Sequence, residues 1–261
     1  MKKLKKRKFN NWKEYYFQYQ YNLASEYYIP ELEKNGIECK NKKILEIGCG
    51  NGGFIAAFNN NKNKCYGIDI KDMEWQNNSN IMYKQANIFD KDVCTFLNTK
   101  FDIIILRDVI EHIDNNLNNK LISIVNSLSK NKTNVIITFP PFYSAFGLHQ
   151  QSLVTSALRF FPFLSICPRS ILIPILKLIG NPVEKNKEII ELHNSKMTIS
   201  SFKNLIKKHK INVISKKFYF SRPSHKIRYG IPILISRLIS KIPVLREFLI
   251  SGVFYTLKIK K

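Results

Sequence analysis

The chain has 261 residues, and its 42 lysines and arginines against 19 aspartates and glutamates give a formal charge of +23. Its 44% hydrophobic and 12% aromatic content supplies a core, which excludes a disordered polycation, and its length suits one large domain. The charge is uneven: residues 1–8 carry six basic side chains and no acid, residues 9–150 carry 15 of each sign, and residues 151–261 carry 21 basic against four acidic. A neutral first half joined to a basic second half points to an anionic partner, although heavy use of Lys, Asn and Ile is also what compositional bias alone produces.

In chain order, residues 1–35 read as a basic tail followed by one or two cap helices, since 12–33 mix aromatic and polar residues at helical spacing. The period changes at residue 42. Residues 44–47 form a short apolar strand, 48–53 a glycine-rich loop and 54–58 a helix. Further strands are predicted over 65–70, 81–88, 101–106 and 134–139, with a helix over 117–128 before the last of these. Strands that are nearly continuous in Val and Ile and alternate with helices predict a parallel sheet covered on both faces, in the α/β class. Residues 142–197 break the pattern with Pro162, Pro168, Pro174 and Pro182 and read as a lid insertion. Regularity returns with a helix over 200–208 and strands over 211–220 and 253–259, which flank a second basic, apolar insert over 221–251. All of this belongs to a single domain.

The loop after the first strand carries the chemistry. Glycines there let the backbone turn sharply and approach a ligand closely. Gly48, Gly50 and Gly53 satisfy a dinucleotide spacing, and Asp69, 19 residues after Gly50, suits a ribose diol in nicotinamide and adenosine cofactors alike. The stretch Ile44-Leu45-Glu46-Ile47-Gly48-Cys49-Gly50-Asn51-Gly52 resembles the first motif of class I S-adenosylmethionine-dependent methyltransferases, with an acidic residue two places before the first glycine. A carboxylate there favours the ammonium and sulfonium of that cofactor and would repel a pyrophosphate. Phe101-Asp102-Ile103-Ile104-Ile105-Leu106-Arg107-Asp108-Val109-Ile110-Glu111-His112-Ile113 resembles the same superfamily's motif after the fourth strand. The resemblance covers residues 40–140 closely and 195–260 loosely, and is nearest to the small-molecule branch that includes ubiquinone-biosynthesis methyltransferases.

It implies a seven-stranded Rossmann-like sheet, mostly parallel with an antiparallel last strand, and S-adenosylmethionine as cofactor. By position, Glu46, Gly48, Cys49, Gly50 and Gly52 would line the methionine part, Asp69 would bind the ribose hydroxyls and Ile70 would pack on adenine. Asn87 and Ile88 fall where the family often has Asp before an apolar residue at the adenine amino group. Arg107 falls where a backbone carbonyl meets the cofactor ammonium, so its side chain is not required. Tyr15 and Tyr16 would cover the cofactor or simply pack.

Methyl transfer is an in-line displacement at a carbon already activated by the sulfonium, so it relies largely on positioning, with a general base needed only for a poorly ionised acceptor hydroxyl. His149, after the fifth strand at the ligand-binding edge of the sheet, and His112, in the Glu-His motif, are the candidate catalytic residues. Pro140-Pro141 does not match the signature of amino-group methyltransferases, because Phe139 replaces Asn, so an oxygen acceptor is expected ahead of a nitrogen. Residues 231–250 place Arg237, Ser240, Lys241 and Glu247 near one helical face and Leu234, Leu238, Ile242, Leu245 and Leu249 on another, as in helices that lie in a lipid headgroup layer. The expected acceptor is therefore small, glycan or lipid-like, with an anionic membrane surface as partner and nucleic acid less favoured. The alternatives are an RNA methyltransferase, for which the charge is apt, and a catalytically silent cofactor fold that binds a membrane or partner.

Cys39, Cys49, Cys65, Cys94 and Cys167 are odd in number and without close pairs, so no disulfide framework and no metal are expected. Arg159, Arg169 and Lys177 interrupt the apolar region 153–180 before it reaches the roughly 20 residues of a spanning helix. With no signal-like start, the expected location is the cytoplasm, including the inner face of the membrane.

Overall fold

Side-chain alternation along the central strands decides the architecture. Ile44, Ile103, Ile105, Ile136 and Phe254 enter one apolar cluster, while their neighbours Leu45, Ile104, Leu106, Val135, Ile137 and Val253 enter another on the opposite face. A sheet apolar on both sides must be covered on both sides. The computed structural model describes residues 1–59, 62–72 and 80–260, apart from the side chains of Arg7 and Cys94.

The strands are β1 (Lys43–Ile47), β2 (Lys64–Asp69), β3 (Ile81–Gln85), β4 (Phe101–Arg107), β5 (Ser129–Phe139), β6 (Asn212–Ser221), β7 (Leu234–Ile235) and β8 (Gly252–Lys258). They form one sheet in the order β3-β2-β1-β4-β5-β8-β6-β7. The pairs among β1 to β5 are parallel, and β8 inserts antiparallel between β5 and β6. The sheet thus has eight strands where seven were expected. The extra one, β7, is a two-residue edge pairing antiparallel with β6 inside the second insert.

Helices α1 (Trp12–Leu23) and α2 (Ile29–Lys34) are joined by a π-helical turn at Ala24–Tyr28 and cover one face together with α3 (Gly53–Asn59). The Asn11 side chain caps α1 by accepting from the Glu14 amide at 2.8 Å. On the other face lie α4 (Lys91–Phe96), α5 (Asn118–Leu128) and α9 (Ile199–Lys208), which contribute Val93, Leu121, Val125, Phe202 and Ile206 to the core. The basic N-terminal run is docked: the Leu4 amide donates to the Ile227 carbonyl of α10 (Pro223–Tyr229) at 2.8 Å, and the Lys6 ammonium lies 4.8 Å from the Trp12 ring centre.

Residues 142–197 contain helices α6 (Gln150–Leu153), α7 (Arg169–Leu178) and α8 (Val183–Ser195), with an apolar cluster of their own built on Phe142, Leu148, Leu172, Leu176, Ile189 and Leu192. The continuous amphipathic helix read over 231–250 does not form. Only α11 (Pro243–Leu249) is α-helical there, because Pro243 bars its predecessor from helical backbone and Ile242 is extended at φ −92°, ψ 110°. Glu247, placed on the polar face with Arg237, Ser240 and Lys241, is instead buried. Its carboxylate accepts from the Ile199 and Ser200 amides at 2.8 and 2.9 Å, completing the cap of α9 that Thr198 and Ser201 begin.

Candidate active site

The turn after β1 puts three glycines at positive φ: Gly48 (72°), Gly50 (55°) and Gly52 (81°). A side chain at Gly48 would strike Val109, and one at Gly52 would strike the Tyr83 hydroxyl, so both need glycine for packing as well as for backbone conformation. The Gly48 and Cys49 amides donate to the Ile68 carbonyl at 2.8 and 3.0 Å, stitching the loop to the end of β2. Helix α1 closes over the loop. The Asn51 side-chain Nδ2 donates to the Lys13 carbonyl at 3.0 Å, and Tyr16 stands against Gly50. Tyr15, by contrast, is fully buried among Phe9, Trp12 and Tyr19, a packing residue.

At the tip of β2, Asp69 accepts from the Gly50 amide at 2.7 Å through Oδ2 and from the Lys71 amide at 2.9 Å through Oδ1. Its carboxylate is thereby held at the lip of the loop. Ile70 beside it is 61% exposed, an apolar shelf without cover. After β3, the Asn87 carboxamide oxygen turns back to accept from the Phe89 amide at 3.1 Å. Ile88, in the turn that follows, is buried and packs in the core beneath this edge.

Glu46 and Arg107 share a face of the sheet, since Glu46 pairs with Ile105, two residues before Arg107. Glu46 is fully buried, and neither of its oxygens makes a well-formed hydrogen bond. Burial pushes its carboxyl up to about 8, with Asp69 adding to the rise and the Arg107 charge and the Ile55 amide opposing it. Arg107 is 9% exposed, lies 4.9 Å from the Phe54 ring centre and 3.6 Å from Asp108 Oδ2, and its Nε has no partner. A buried carboxyl and a buried guanidinium, both with unused hydrogen-bonding capacity, fit the ammonium and carboxylate of an amino-acid-bearing ligand.

Beyond β4 the chain turns sharply at Asp108, a non-glycine residue at φ 54°. Its carboxylate accepts from the Thr138 hydroxyl at 3.0 Å and lies 3.6 Å from Arg222. Arg107, Asp108, Thr138, Tyr219 and Arg222 line a small polar cleft at this edge of the sheet. Glu111 follows, 3% exposed, with its Oε1 3.7 Å from His149 Nε2. The His112 and His149 rings meet edge to face with centres 5.3 Å apart. Burial lowers both imidazoles, His149 to about 3, with the neighbouring ring adding to its fall; Glu111 is raised by burial and by Asp108. The two candidate histidines are thus brought together and held neutral, which suits ligand or hydrogen-bond donation better than proton capture.

Asp108, Glu111 and Arg222 were not among the expected site residues. The first two lie inside the motif that carries the resemblance, whereas nothing in the sequence distinguishes Arg222 from the other basic residues of its insert. Helix α8 borders the same edge, through an ion pair of Lys71 with Glu188 at 2.7 Å and the Ser195 hydroxyl over the Ile110 carbonyl.

Residues 18–176, more than half of the chain, match a family model described as a methyltransferase domain. No curated protein matches the chain in sequence. Among solved structures, it is similar to magnesium protoporphyrin IX methyltransferase from Synechocystis, crystallised with S-adenosylhomocysteine, at 12% identity and a TM-score of 0.53 over 96% of this chain and 88% of that one. A Thermotoga maritima S-adenosylmethionine-dependent methyltransferase, described as a possible histamine N-methyltransferase, gives 15% identity and 0.52 over 97% and 95%. One from Clostridium acetobutylicum gives 11% and 0.52 over 92% of each chain. With its family model, its strand order and its glycine loop in agreement, the chain belongs to the methyltransferase domain family and is a class I methyltransferase that uses S-adenosylmethionine.

Proposed function

We propose that this enzyme methylates an oxygen of an amphiphilic acceptor, lipid-like or glycan-bearing, delivered at an anionic membrane surface. The observation that carries this reading is the surface of the two inserts. Phe160, Phe161, Leu178 and Val183 in the first are 64–87% exposed, and Leu238 and Val244 in the second are 77% and 67% exposed. The inserts adjoin: Phe248 of α11 lies 5.7 Å from Tyr143 and 6.4 Å from Phe163, on the segment that also carries His149. Apolar side chains in such number, interspersed with Arg159, Arg169, Lys177, Arg237 and Lys241, mark a contact surface, not a solvated one.

On the cofactor side, the bound S-adenosylmethionine supplies a methyl carbon activated by its positive sulfur. The chain's own residues orient it: Glu46 for the ammonium, the Arg107 guanidinium for the carboxylate, the loop at Gly48, Cys49, Gly50 and Gly52 around the methionine part, Asp69 for the ribose diol, Ile70 under adenine and Asn87 at its edge. Assigning the Arg107 side chain a role departs from the expectation that only its backbone matters, and rests on the unpartnered Nε. His112 and His149 line the acceptor end and hold its oxygen in line with the methyl group, where positioning alone is worth several orders of magnitude in rate.

Incubation of the enzyme with methyl-tritiated S-adenosylmethionine and fractionated cell extract tests the acceptor class. Label is expected in the fraction extracted by organic solvent, or in glycan carried with it; label confined to RNA would overturn the proposal in favour of the basic inserts serving nucleic acid.

A further inference from the structure

The cluster of Glu111, His112 and His149 has a property that methyl transfer alone does not use. One donor atom from each, a carboxylate oxygen and two imidazole nitrogens, lies within 4.8 Å of the others. We infer that this cluster binds a divalent transition-metal ion, in a two-histidine, one-carboxylate site at the acceptor end of the cleft.

Three observations support the site. Glu111 is 97% buried by the measure of its 3% exposure, and both its oxygens lack a hydrogen-bond partner; a carboxyl so placed is costly unless something meets it. His149 Nε2, facing Glu111 Oε1 at 3.7 Å, is likewise unpartnered. The separations are also near those an ion imposes. A first-row ion with ligands at roughly 2.0–2.2 Å holds neighbouring donor atoms about 3 Å apart and opposite ones about 4 Å apart, so closing the widest gap takes a shift of about 1 Å.

The donor set selects the ion. Two imidazoles with one carboxylate suit zinc, cobalt, manganese or iron, whereas magnesium and calcium prefer oxygen ligands throughout. Three protein ligands leave positions open, as in catalytic and not structural sites. The surrounding charges are mixed: Asp108 and Glu188 favour a cation, while Lys71 and Arg222 oppose one, and Asp108 is itself answered by Arg107 and Arg222. Glu111 is the carboxyl of this group whose oxygens no hydrogen bond meets, and it is the one left for an ion to engage. The expectation of no metal rested on cysteine spacing, and this group contains no cysteine. Its members come from the turn after β4 and the loop after β5, which only the sheet order brings together.

Metal binding stands independently of the acceptor class. The role that follows, an open coordination position meeting the acceptor oxygen, rests on the methylation reading above. The test uses the full chain stripped with a chelator and then titrated with Co2+, read by its d–d absorption, and with Zn2+, read by calorimetry. One ion per chain is expected, with Glu111→Gln and His149→Asn each weakening it at least tenfold. Asn tolerates the left-handed backbone at position 149 (φ 52°), so this variant keeps the loop where Glu111→Gln disturbs packing. S-adenosylmethionine affinity, measured in chelator, is expected to match wild type in both variants, which separates loss of the metal from failure of the cofactor site. Stripped, folded protein that takes up neither ion, or binding that survives in His149→Asn, would overturn the inference.

Discussion

Glu46 is the residue at which the chemistry of the cofactor and the energetics of the fold conflict. In the role proposed for it, its carboxyl, raised to about 8 by burial, gives up a proton to meet the ammonium of the cofactor. S-Adenosylmethionine affinity should therefore climb as pH rises from 6 to 8, and titration in buffers of different ionisation enthalpy should report a released proton. Glu46→Gln should bind more weakly and lose both effects; an unchanged slope in the variant would count against the assignment. The stability effect has the opposite sign. A group whose folded value lies above its unfolded value contributes stability below the unfolded value that is lost as pH rises through the folded one. The wild-type melting temperature should thus fall relative to Glu46→Gln between pH 5 and 9. In the sequence Glu46 was legible as a candidate ligand residue from its place before the glycines, and Arg107 only through its backbone: that its side chain shares a face with Glu46 follows from the register of β1 with β4, which no linear spacing records.

Among the elements, α9 shows how an insert can be structural and exposed at once. Glu247 caps it from 47 and 48 residues away, while Leu245 and Leu249 on the same short helix are exposed. Glu247→Ala removes three charge-assisted hydrogen bonds, counting that from the Ser200 hydroxyl, and should cost about 2 kcal/mol. For a chain of this size that is a fall of roughly 4–8 °C in melting temperature. Cofactor affinity should be retained, and a melting curve identical to wild type would refute the cap. The strands of the sheet were readable because runs of Val and Ile between glycine and proline breaks leave little alternative. Helix α11 was misread because helical periodicity over residues 231–250 ignores what Pro243 does to Ile242. Likewise, β7 is too short for any period to announce.

At the scale of the molecule, charge and apolar exposure coincide in the second half of the chain, and no helix among the described residues is long and apolar enough to cross a membrane. Anionic vesicles should therefore retain the enzyme at low salt and release it as salt screens the roughly 1 kcal/mol each basic side chain contributes near such a surface. Leu178→Asp and Leu238→Asp, at positions 87% and 77% exposed, should weaken retention without unfolding the chain; retention unaffected by either would leave charge alone responsible. The sheet order and the cofactor loop were implied by two short motifs, while the arrangement of the acceptor end required the three-dimensional meeting of segments 108–112, 149 and 222. The claim on which the rest depends is that Asp69, anchored by the Gly50 amide, receives the ribose of S-adenosylmethionine at the tip of β2. Calorimetric titration of wild type and Asp69→Ala tests it most directly: binding to the wild type and a loss of at least tenfold in the folded variant are predicted, and equal affinity in the two proteins would contradict it.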